Sequence, residues 1–173
     1  KGWRLEILPS GSLGAREAES QSFREKEPVC QMDAPVPGGV YDALLQAGLL
    51  GDPYWRDRED EALQWMEYDF VYRTEFSAPK DWEEGGRFFL SFDSVDTIAW
   101  IYCNGILAGR GENMHRSYEF EVTGLLKPEG NCLEVCIQSP VRYIREKQEE
   151  IEVRGSTDAM EGFPHIRKAY CMF

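Results

Sequence analysis

The chain has 173 residues, which is enough for one domain with a hydrophobic core of its own. It carries 31 acidic and 19 basic side chains, a formal net charge of −12. Nucleic acids and anionic membranes bind basic surfaces, so this charge argues against both as partners. No run of about 18 apolar residues is present, and no membrane-spanning helix is predicted.

The five cysteines are odd in number and include no C-x-x-C pair. Cys132 and Cys136 would lie on one face of a strand, too far apart along it for a disulfide. Reduced thiols are therefore predicted, and with them a cytoplasmic location, because no apolar segment of a signal peptide follows residues 1–4. The two histidines, His115 and His165, lack metal-ligand spacing, so neither a metal site nor a cofactor is predicted.

The first third of the chain contains two strand patterns and one helix pattern. Trp3–Leu8 alternates apolar and polar residues and predicts a first strand, with a short second strand at residues 29–32. Residues 9–27 are rich in Gly, Ser and Glu without periodicity, which predicts a flexible loop. Residues 40–49 repeat apolar side chains at helical spacing and predict a helix, whereas residues 54–64 predict a long loop.

From residue 68 onward the pattern changes to the two-residue alternation of strands. Alternate side chains of the first of these strands point to one face: Tyr68, Phe70, Tyr72, Thr74 and Phe76. Further strands are predicted at residues 88–92, 98–103, from 107, 118–122 and 133–137. Asn104-Gly105 predicts a tight hairpin turn, because both residues tolerate positive φ. Ser139-Pro140 predicts a helix start, since serine caps the helix and proline fits its first position.

Seven or eight strands, with turns about every ten residues, predict an all-β sandwich made of a single domain, residues 1–173. The helix between the early strands favours a jelly-roll sandwich with one or two short helices over an immunoglobulin type. The chain ends in an apolar group, Tyr170–Phe173. Such an end is unusual for a natural terminus, so the chain is interpreted as a fragment of a longer protein.

A series of short motifs runs through the chain in a fixed order. They are Val36-Pro37-Gly38, Asp52-Pro53-Tyr54, Gln64-Trp65, Val71-Tyr72-Arg73, Asp96-Thr97, Asn104-Gly105, Asn113-Met114, Ser139-Pro140 and Arg167-Lys168. No single motif is specific, but the ordered series resembles the N-terminal, galactose-binding-like jelly-roll domain of family 2 glycoside hydrolases, the β-mannosidases in particular. The resemblance covers residues 36–173. The loop after Tyr54 departs from the family pattern.

The resemblance implies an accessory domain of a retaining β-mannosidase-like enzyme, a glycosidase that hydrolyses O-glycosyl bonds. In that family two glutamates of a later (β/α)8 barrel carry out the reaction. No catalytic residue is therefore expected in this chain, and the isolated domain is predicted to be inactive. Its expected partners are the catalytic barrel of the same parent chain and the β-mannoside substrate. Immunoglobulin-like and barrel domains would follow residue 173.

Five residues are candidates for the wall of a sugar pocket or for contacts between domains: Asp57, Glu59, Trp65, Arg167 and Lys168. Asp57 and Glu59 lie in the loop after Tyr54, where they either reach toward the barrel or are simply solvated. Arg167 and Lys168 match positions near the family's pocket, with ion pairing between domains as the alternative. Trp65 is expected to be more open to a sugar than Trp100, which is expected to pack in the core.

Two other functions stay open at the level of the sequence. The chain would act as an independent carbohydrate-binding module if it presented an exposed aromatic platform or a polar cleft. Alternatively, it is the same domain of a family 2 β-galactosidase or β-glucuronidase. The Asp-Pro-Tyr motif and the Arg167-Lys168 pair favour a β-mannosidase, but the residues that set sugar specificity lie outside this sequence.

Overall fold

Strands predominate in a computed structural model of the chain, which describes residues 2–56, 58–80, 82 and 85–151. Its strands are β1 Trp3–Leu8, β2 Cys30–Ala34, β3 Asp69–Phe76, β4 Phe89–Phe92, β5 Ala99–Cys103, β6 Ile106–Gly111, β7 Tyr118–Glu121 and β8 Asn131–Ile137. Its α-helices are α1 Ala15–Ser20, α2 Val40–Gln46, α3 Arg58–Trp65 and α4 Pro140–Glu150. Short 3₁₀ turns occupy Ser22–Glu25 and Thr123–Leu125.

The strands form two antiparallel sheets. Six strands make a large sheet in the order β2-β1-β3-β8-β5-β6, and β4 pairs with β7 in a small sheet. The predicted all-β sandwich is confirmed, although the described residues hold four short α-helices where one or two were predicted. None of these helices is long and apolar enough to cross a membrane. Four cysteines in the described part of the chain are free thiols: Cys30, Cys103, Cys132 and Cys136.

We call the side of the large sheet that faces the small sheet, α2 and α3 its first face. Its buried core includes Leu5, Ile7, Ala43, Leu44, Ala62, Phe70, Tyr72, Ile101, Leu133 and Val135, with Leu90, Phe92 and Phe120 packed against it. Alternate strand residues point to one face of a sheet, which is why the two-residue periodicity of β3 marked this core. Tyr68, Phe70, Tyr72 and Phe76 all join it, as predicted.

The second face of the large sheet is covered by residues 9–27 and α4. Its core consists of Leu8, Leu13, Ala18, Phe23, Val71, Ile98, Trp100, Tyr102 and Cys136, with Tyr143 packed against it. The prediction of a flexible loop at residues 9–27 is therefore wrong, because α1 and the Ser22–Glu25 turn form there. These elements bury Ala18 and Phe23 against the sheet. Trp100 is buried in this core, as predicted.

A second correction concerns residues 54–64, which were predicted to form a loop. Helix α3 begins at Arg58, and Ala62 is its one fully buried side chain among those described. A helix that buries so little has almost no apolar stripe, and periodicity cannot detect it.

The predicted hairpin turn joins β5 to β6. Asn104 and Gly105 have φ of 54° and 81°, and Cys103 pairs with Ile106 across the turn. The Asn104 amide donates to the Leu125 carbonyl at 2.6 Å and to Asn131 Oδ1 at 2.9 Å, and its own Oδ1 accepts from the Cys132 N–H at 2.9 Å. The two asparagines thus bind three backbone segments together at this end of the sandwich.

The predicted helix start at Ser139 is also confirmed. Its hydroxyl accepts from the Arg142 N–H at 3.0 Å and donates to the Met66 carbonyl at 2.7 Å. Pro140 occupies the first helical position, where a missing N–H costs no hydrogen bond. This single serine therefore caps α4 and joins it to the chain that enters β3.

Candidate functional site

The structure places one of the five predicted site residues, Trp65. Asp57, Arg167 and Lys168 lie outside the described residues, as does the side chain of Glu59, whose backbone belongs to α3. Their roles stay predictions.

Trp65 is the last residue of α3 and is half-buried. Its ring lies 5.8 Å from that of Tyr68 in a tilted arrangement, and both rings pack against the first-face core. Aromatic pairs of this geometry add about 0.5–1.5 kcal/mol beyond the area they bury. Trp65 is thus committed largely to packing, and only part of its ring is available to a ligand or another domain.

Among the residues that the structure describes, the most exposed aromatic side chains lie in the turn that precedes α3. We call residues 52–56 the aromatic turn. The Asp52 carboxylate accepts from the Tyr54 N–H at 3.0 Å, and the Asp52 carbonyl accepts from the Trp55 N–H at 3.1 Å. Pro53 suits such a turn because its φ is fixed near −65°. The result is that Tyr54 is 72% exposed and Trp55 is 59% exposed.

The aromatic turn also carries a cation. Arg56 has a positive φ of 61°, and its guanidinium lies 5.8 Å from the centre of the Trp55 ring. Sequence reasoning identified Asp52-Pro53-Tyr54 as a motif but did not expect two exposed aromatic rings there. The signal that could have found them is the Asp-Pro dipeptide, which favours a turn and hence outward-facing neighbours.

Two open, polar depressions lie elsewhere on the surface. One, of about 530 Å³, is lined by Arg110, Glu112, Asn113, Arg116 and Tyr118. The other, of about 520 Å³, lies between α1 and α4 and shares Arg110 and Glu112, whose charged groups are 2.6 Å apart. Open depressions lined by paired charges exclude little water, so they offer poor settings for acid–base chemistry.

The two most deeply buried carboxylates in the described part of the chain have structural partners. Asp69 accepts from the N–H groups of Leu13 at 2.8 Å and Ser139 at 2.7 Å. Glu134 is paired with Arg24, 2.7 Å from Nη1 to Oε1, and with Arg73 Nε at 3.0 Å. A retaining glycosidase needs two carboxyl groups about 5–5.5 Å apart at an accessible site. Neither Asp69 nor Glu134 is free to serve.

Burial raises the pKa of Asp69, and the hydrogen bonds from Ser139, Leu13 and Arg142 oppose that rise. The carboxyl is fully buried beneath residues 9–27, so a sugar cannot reach it. Within the ranges that the structure describes, no group of three or more His, Cys, Asp or Glu side chains is arranged to hold a metal ion.

Comparison with known proteins identifies the family. The sequence model of the family described as "Glycosyl hydrolase 2 galactose-binding domain-like" matches residues 16–173. The chain belongs to this family. The predicted resemblance is thereby confirmed, and the galactose-binding-like sandwich with it.

Relatives of this family member are β-mannosidases. The chain is 32% identical to the β-mannosidase of Capra hircus over 184 aligned positions, which cover 98% of the chain and 21% of that protein. It is 40% identical to the β-mannosidase of Rattus norvegicus over 114 residues, 65% of the chain and 13% of that protein. The chain therefore spans about a fifth or less of the length of these relatives.

Solved structures give the same picture. The β-D-mannosidase of Dictyoglomus thermophilum superposes with a TM-score of 0.75 at 26% identity, over 92% of this chain and 18% of that one. A β-glucuronidase from an uncultured Clostridium superposes with a TM-score of 0.52 at 19% identity, over 80% of this chain and 22% of that one. The second likeness shows the fold alone, so the β-mannosidase likeness is the stronger of the two.

The family motifs occupy structural positions in this member. Asn104 and Asn131 form the amide network at the hairpin, and Ser139 caps α4. The Tyr118 hydroxyl accepts from the N–H groups of Glu112 at 3.1 Å and Asn113 at 2.8 Å, and so closes the Asn113-Met114 loop. These motifs contribute to the way the sandwich is built, so they can identify the family without forming a catalytic site.

Proposed function

We propose that this chain is the N-terminal domain of a retaining β-mannosidase-like glycosidase. In this proposal the parent enzyme removes terminal β-mannose residues, and its catalytic glutamates belong to a later barrel. The domain holds that barrel in place and contributes to one wall of the substrate pocket. By itself it has no hydrolytic activity.

The observation that carries the proposal is the match to the Capra hircus β-mannosidase over 98% of this chain. The chain corresponds to only 21% of that relative, so most of such an enzyme lies in other domains. The described residues agree with a catalytic site outside this chain, because the buried carboxylates Asp69 and Glu134 are already engaged in structural contacts.

A panel of aryl glycosides tests the proposal on the full-length parent protein. Hydrolysis of aryl β-mannoside is expected to exceed that of the β-glucuronide and β-galactoside by at least roughly a hundredfold, or about 2.7 kcal/mol in transition-state binding. The anomeric product of the first turnover, followed by NMR, is expected to be β-mannose, as retention requires. Preference for the β-glucuronide would contradict the proposal and would assign the chain to the other branch of the family.

An independent carbohydrate-binding module is a second candidate, and the aromatic turn is the observation that favours it. Exposed rings such as Tyr54 and Trp55 suit the apolar C–H face of a sugar. Titration calorimetry with mannose and manno-oligosaccharides discriminates between the two. Heat of binding at millimolar sugar that disappears in Trp55→Ala supports the module, whereas no heat in either protein supports the accessory role.

A further inference from the structure

Exposed apolar side chains are concentrated in one stretch of the sequence. Ten large apolar side chains among the described residues are exposed, and five of them lie within residues 36–55. These five are Val36, Leu45, Leu49, Tyr54 and Trp55. Single exposed apolar residues are ordinary on a protein surface, whereas Tyr54 and Trp55 are adjacent, and adjoining exposed apolar side chains form the kind of patch that marks an interaction surface.

The backbone fixes these side chains in their outward positions. Helix α2 buries Ala43 and Leu44 in the first-face core, so Leu45 is turned away from the sheet. Leu49 lies beyond the end of α2, after Gly48 with its positive φ of 70°, and is also exposed. The helix cannot rotate to bury Leu45 without removing Leu44, which is fully buried, from the core. The outward face of this stretch is therefore built into the fold.

The aromatic turn has the composition of an interface centre. Protein interfaces are enriched in Trp, Tyr and Arg, and these residues dominate the binding energy when they are buried at the middle of a contact. Here Tyr54, Trp55 and Arg56 follow one another, and hydrogen bonds from two backbone N–H groups to Asp52 hold the first two in place. Such an ordered turn loses little conformational entropy on binding.

We infer that residues 36–55 form the surface on which the rest of the parent chain packs, with Tyr54 and Trp55 at its centre. The inference rests on the proposed function, because it takes the occupant to be the remainder of the same polypeptide. The Rattus norvegicus and Capra hircus relatives are each about five times the length of this chain, so a large, covalently attached partner accompanies the domain in them. Attachment gives that partner a high effective concentration, which makes it the favoured occupant.

A sugar is a less suitable occupant of the same surface. Stacking on a sugar needs an open aromatic face, and the Arg56 guanidinium lies 5.8 Å from the Trp55 ring centre. An arginine in that position is common at protein interfaces, where it remains partnered after water leaves.

Hydroxyl-radical footprinting of the full-length parent protein tests the inference. The protection factor of a side chain is the intrinsic oxidation rate of its amino acid divided by the oxidation rate measured in the protein. At 59% exposure Trp55 would show about twofold protection if its surface were free, whereas burial at an interface centre raises protection to roughly tenfold or more. Phe89 is 45% exposed and lies on the small sheet, so it serves as the internal control and stays near twofold.

Three outcomes would overturn the inference. Twofold protection of Trp55 in the full-length protein would show that nothing covers it. Protection that appears only when manno-oligosaccharide is added would assign the turn to sugar binding. Protection that rises with protein concentration would assign it to a second copy of the chain. Each result is independent of the glycoside panel, so failure of the inference and failure of the proposed function can be told apart.

Substitutions in the parent protein give a second readout. Tyr54→Ala with Trp55→Ala is expected to accelerate the thermal loss of catalytic activity by roughly tenfold or more, because the variant weakens the contact between domains. The matched control, Phe89→Ala with Ile106→Ala, removes two exposed apolar side chains from other surfaces and is expected to change that rate less than about twofold. Equal rates for the two double variants would contradict the assignment.

Discussion

The two faces of the large sheet are held to their covering layers by different kinds of contact. On the first face, α2, α3 and the small sheet attach through apolar side chains, which pack between layers in the ordinary way. On the second face, residues 9–27 and α4 attach through an apolar core and also through buried carboxylates. Glu134 pairs with Arg24, and Asp69 accepts from Leu13 and Ser139.

This difference shows how a segment with few apolar residues can still be ordered. Residues 9–27 insert only Leu13, Ala18 and Phe23 into the core. Their remaining attachment comes from hydrogen bonds, such as that from the Tyr102 hydroxyl to the Ala18 carbonyl at 2.7 Å and from Leu13 N–H to Asp69 at 2.8 Å. Because a buried polar group is costly when it loses its partner, each contact specifies one position for the segment.

The largest effect is expected from Glu134→Gln. The substitution leaves Arg24 without its charge partner and Arg73 with Glu6 alone, in a site where Glu134 itself is buried. Breaking a buried ion pair costs roughly 3–5 kcal/mol, and the two arginines remain about a third exposed, so a loss of roughly 3–4 kcal/mol is expected. Urea unfolding followed by circular dichroism measures this loss.

Glu119→Gln, on the exposed side of β7, is the control. An equal cost for both variants would show that the second face does not depend on this cluster.

The next largest effect is expected from Asp69→Asn, at roughly 2–3 kcal/mol, because one of two buried N–H groups loses its acceptor.

The cost of Asp69→Asn also depends on pH. Burial raises the pKa of Asp69 in the folded state above its unfolded value of about 3.9. The folded protein thus loses stability as the pH rises from about 4 through the folded pKa, and the variant lacks this dependence. The difference in unfolding free energy between wild type and Asp69→Asn is expected to shrink over that range.

Asp33→Asn is the matched control for this measurement, since Asp33 is exposed on β2. Its unfolding free energy is expected to follow that of the wild type at every pH. A cost of Asp69→Asn that grows with rising pH would contradict the assignment of burial as the dominant influence on Asp69.

The first face can be tested by overpacking. Gly109 on β6 lies directly under Phe120, and a Cβ at this position would overlap the ring. Gly109→Ala is expected to cost roughly 1–2 kcal/mol, toward the lower end for overpacking, because β6 is an edge strand that is able to shift. Thermal unfolding measures the loss against Gly124→Ala, where an added Cβ meets nothing within 4 Å. No difference between the two would mean that the small sheet is not closely packed on β6.

An effect similar in size to that of Gly109→Ala is expected from Ser139→Ala, which removes the cap of α4. Loss of a helix cap costs about 1 kcal/mol, and here the hydrogen bond to Met66 is lost as well. Ser77→Ala, at an exposed loop position, is the control and is expected to change the midpoint of urea unfolding very little. A Ser139→Ala midpoint equal to that of the control would show that neither hydrogen bond contributes to stability.

The difference between the two faces also explains which parts of the fold could be predicted from the sequence. Trp3–Leu8, the Asn104-Gly105 turn and the Ser139-Pro140 helix start were predicted because each has a local pattern with a local cause. The cover of the second face had no such pattern, because its contacts join residues far apart in the chain. Arg24 and Glu134 are 110 positions apart, and Asp69 and Ser139 are 70 apart.

The candidate site shows a similar division. Trp65 was predicted to be more open than Trp100 and Tyr102, and it is: it is half-buried, where α3 places it against Tyr68 and the core, whereas the other two are buried. Tyr54 and Trp55 were not predicted, since their exposure depends on how Asp52 closes the turn. Membership of the family, in contrast, was predicted from the order of motifs, several of which form turns, a helix cap and an amide network in the described residues.

We propose that this domain carries structural motifs of the family, while catalysis lies elsewhere in the parent protein. The most direct test is the rate of aryl β-mannoside hydrolysis by the 173-residue chain, folded as judged by near-ultraviolet circular dichroism, beside the full-length parent at equal concentration. We expect the full-length parent to hydrolyse the substrate, and the 173-residue chain to show no hydrolysis above the uncatalysed rate. Turnover by the folded chain alone would contradict it.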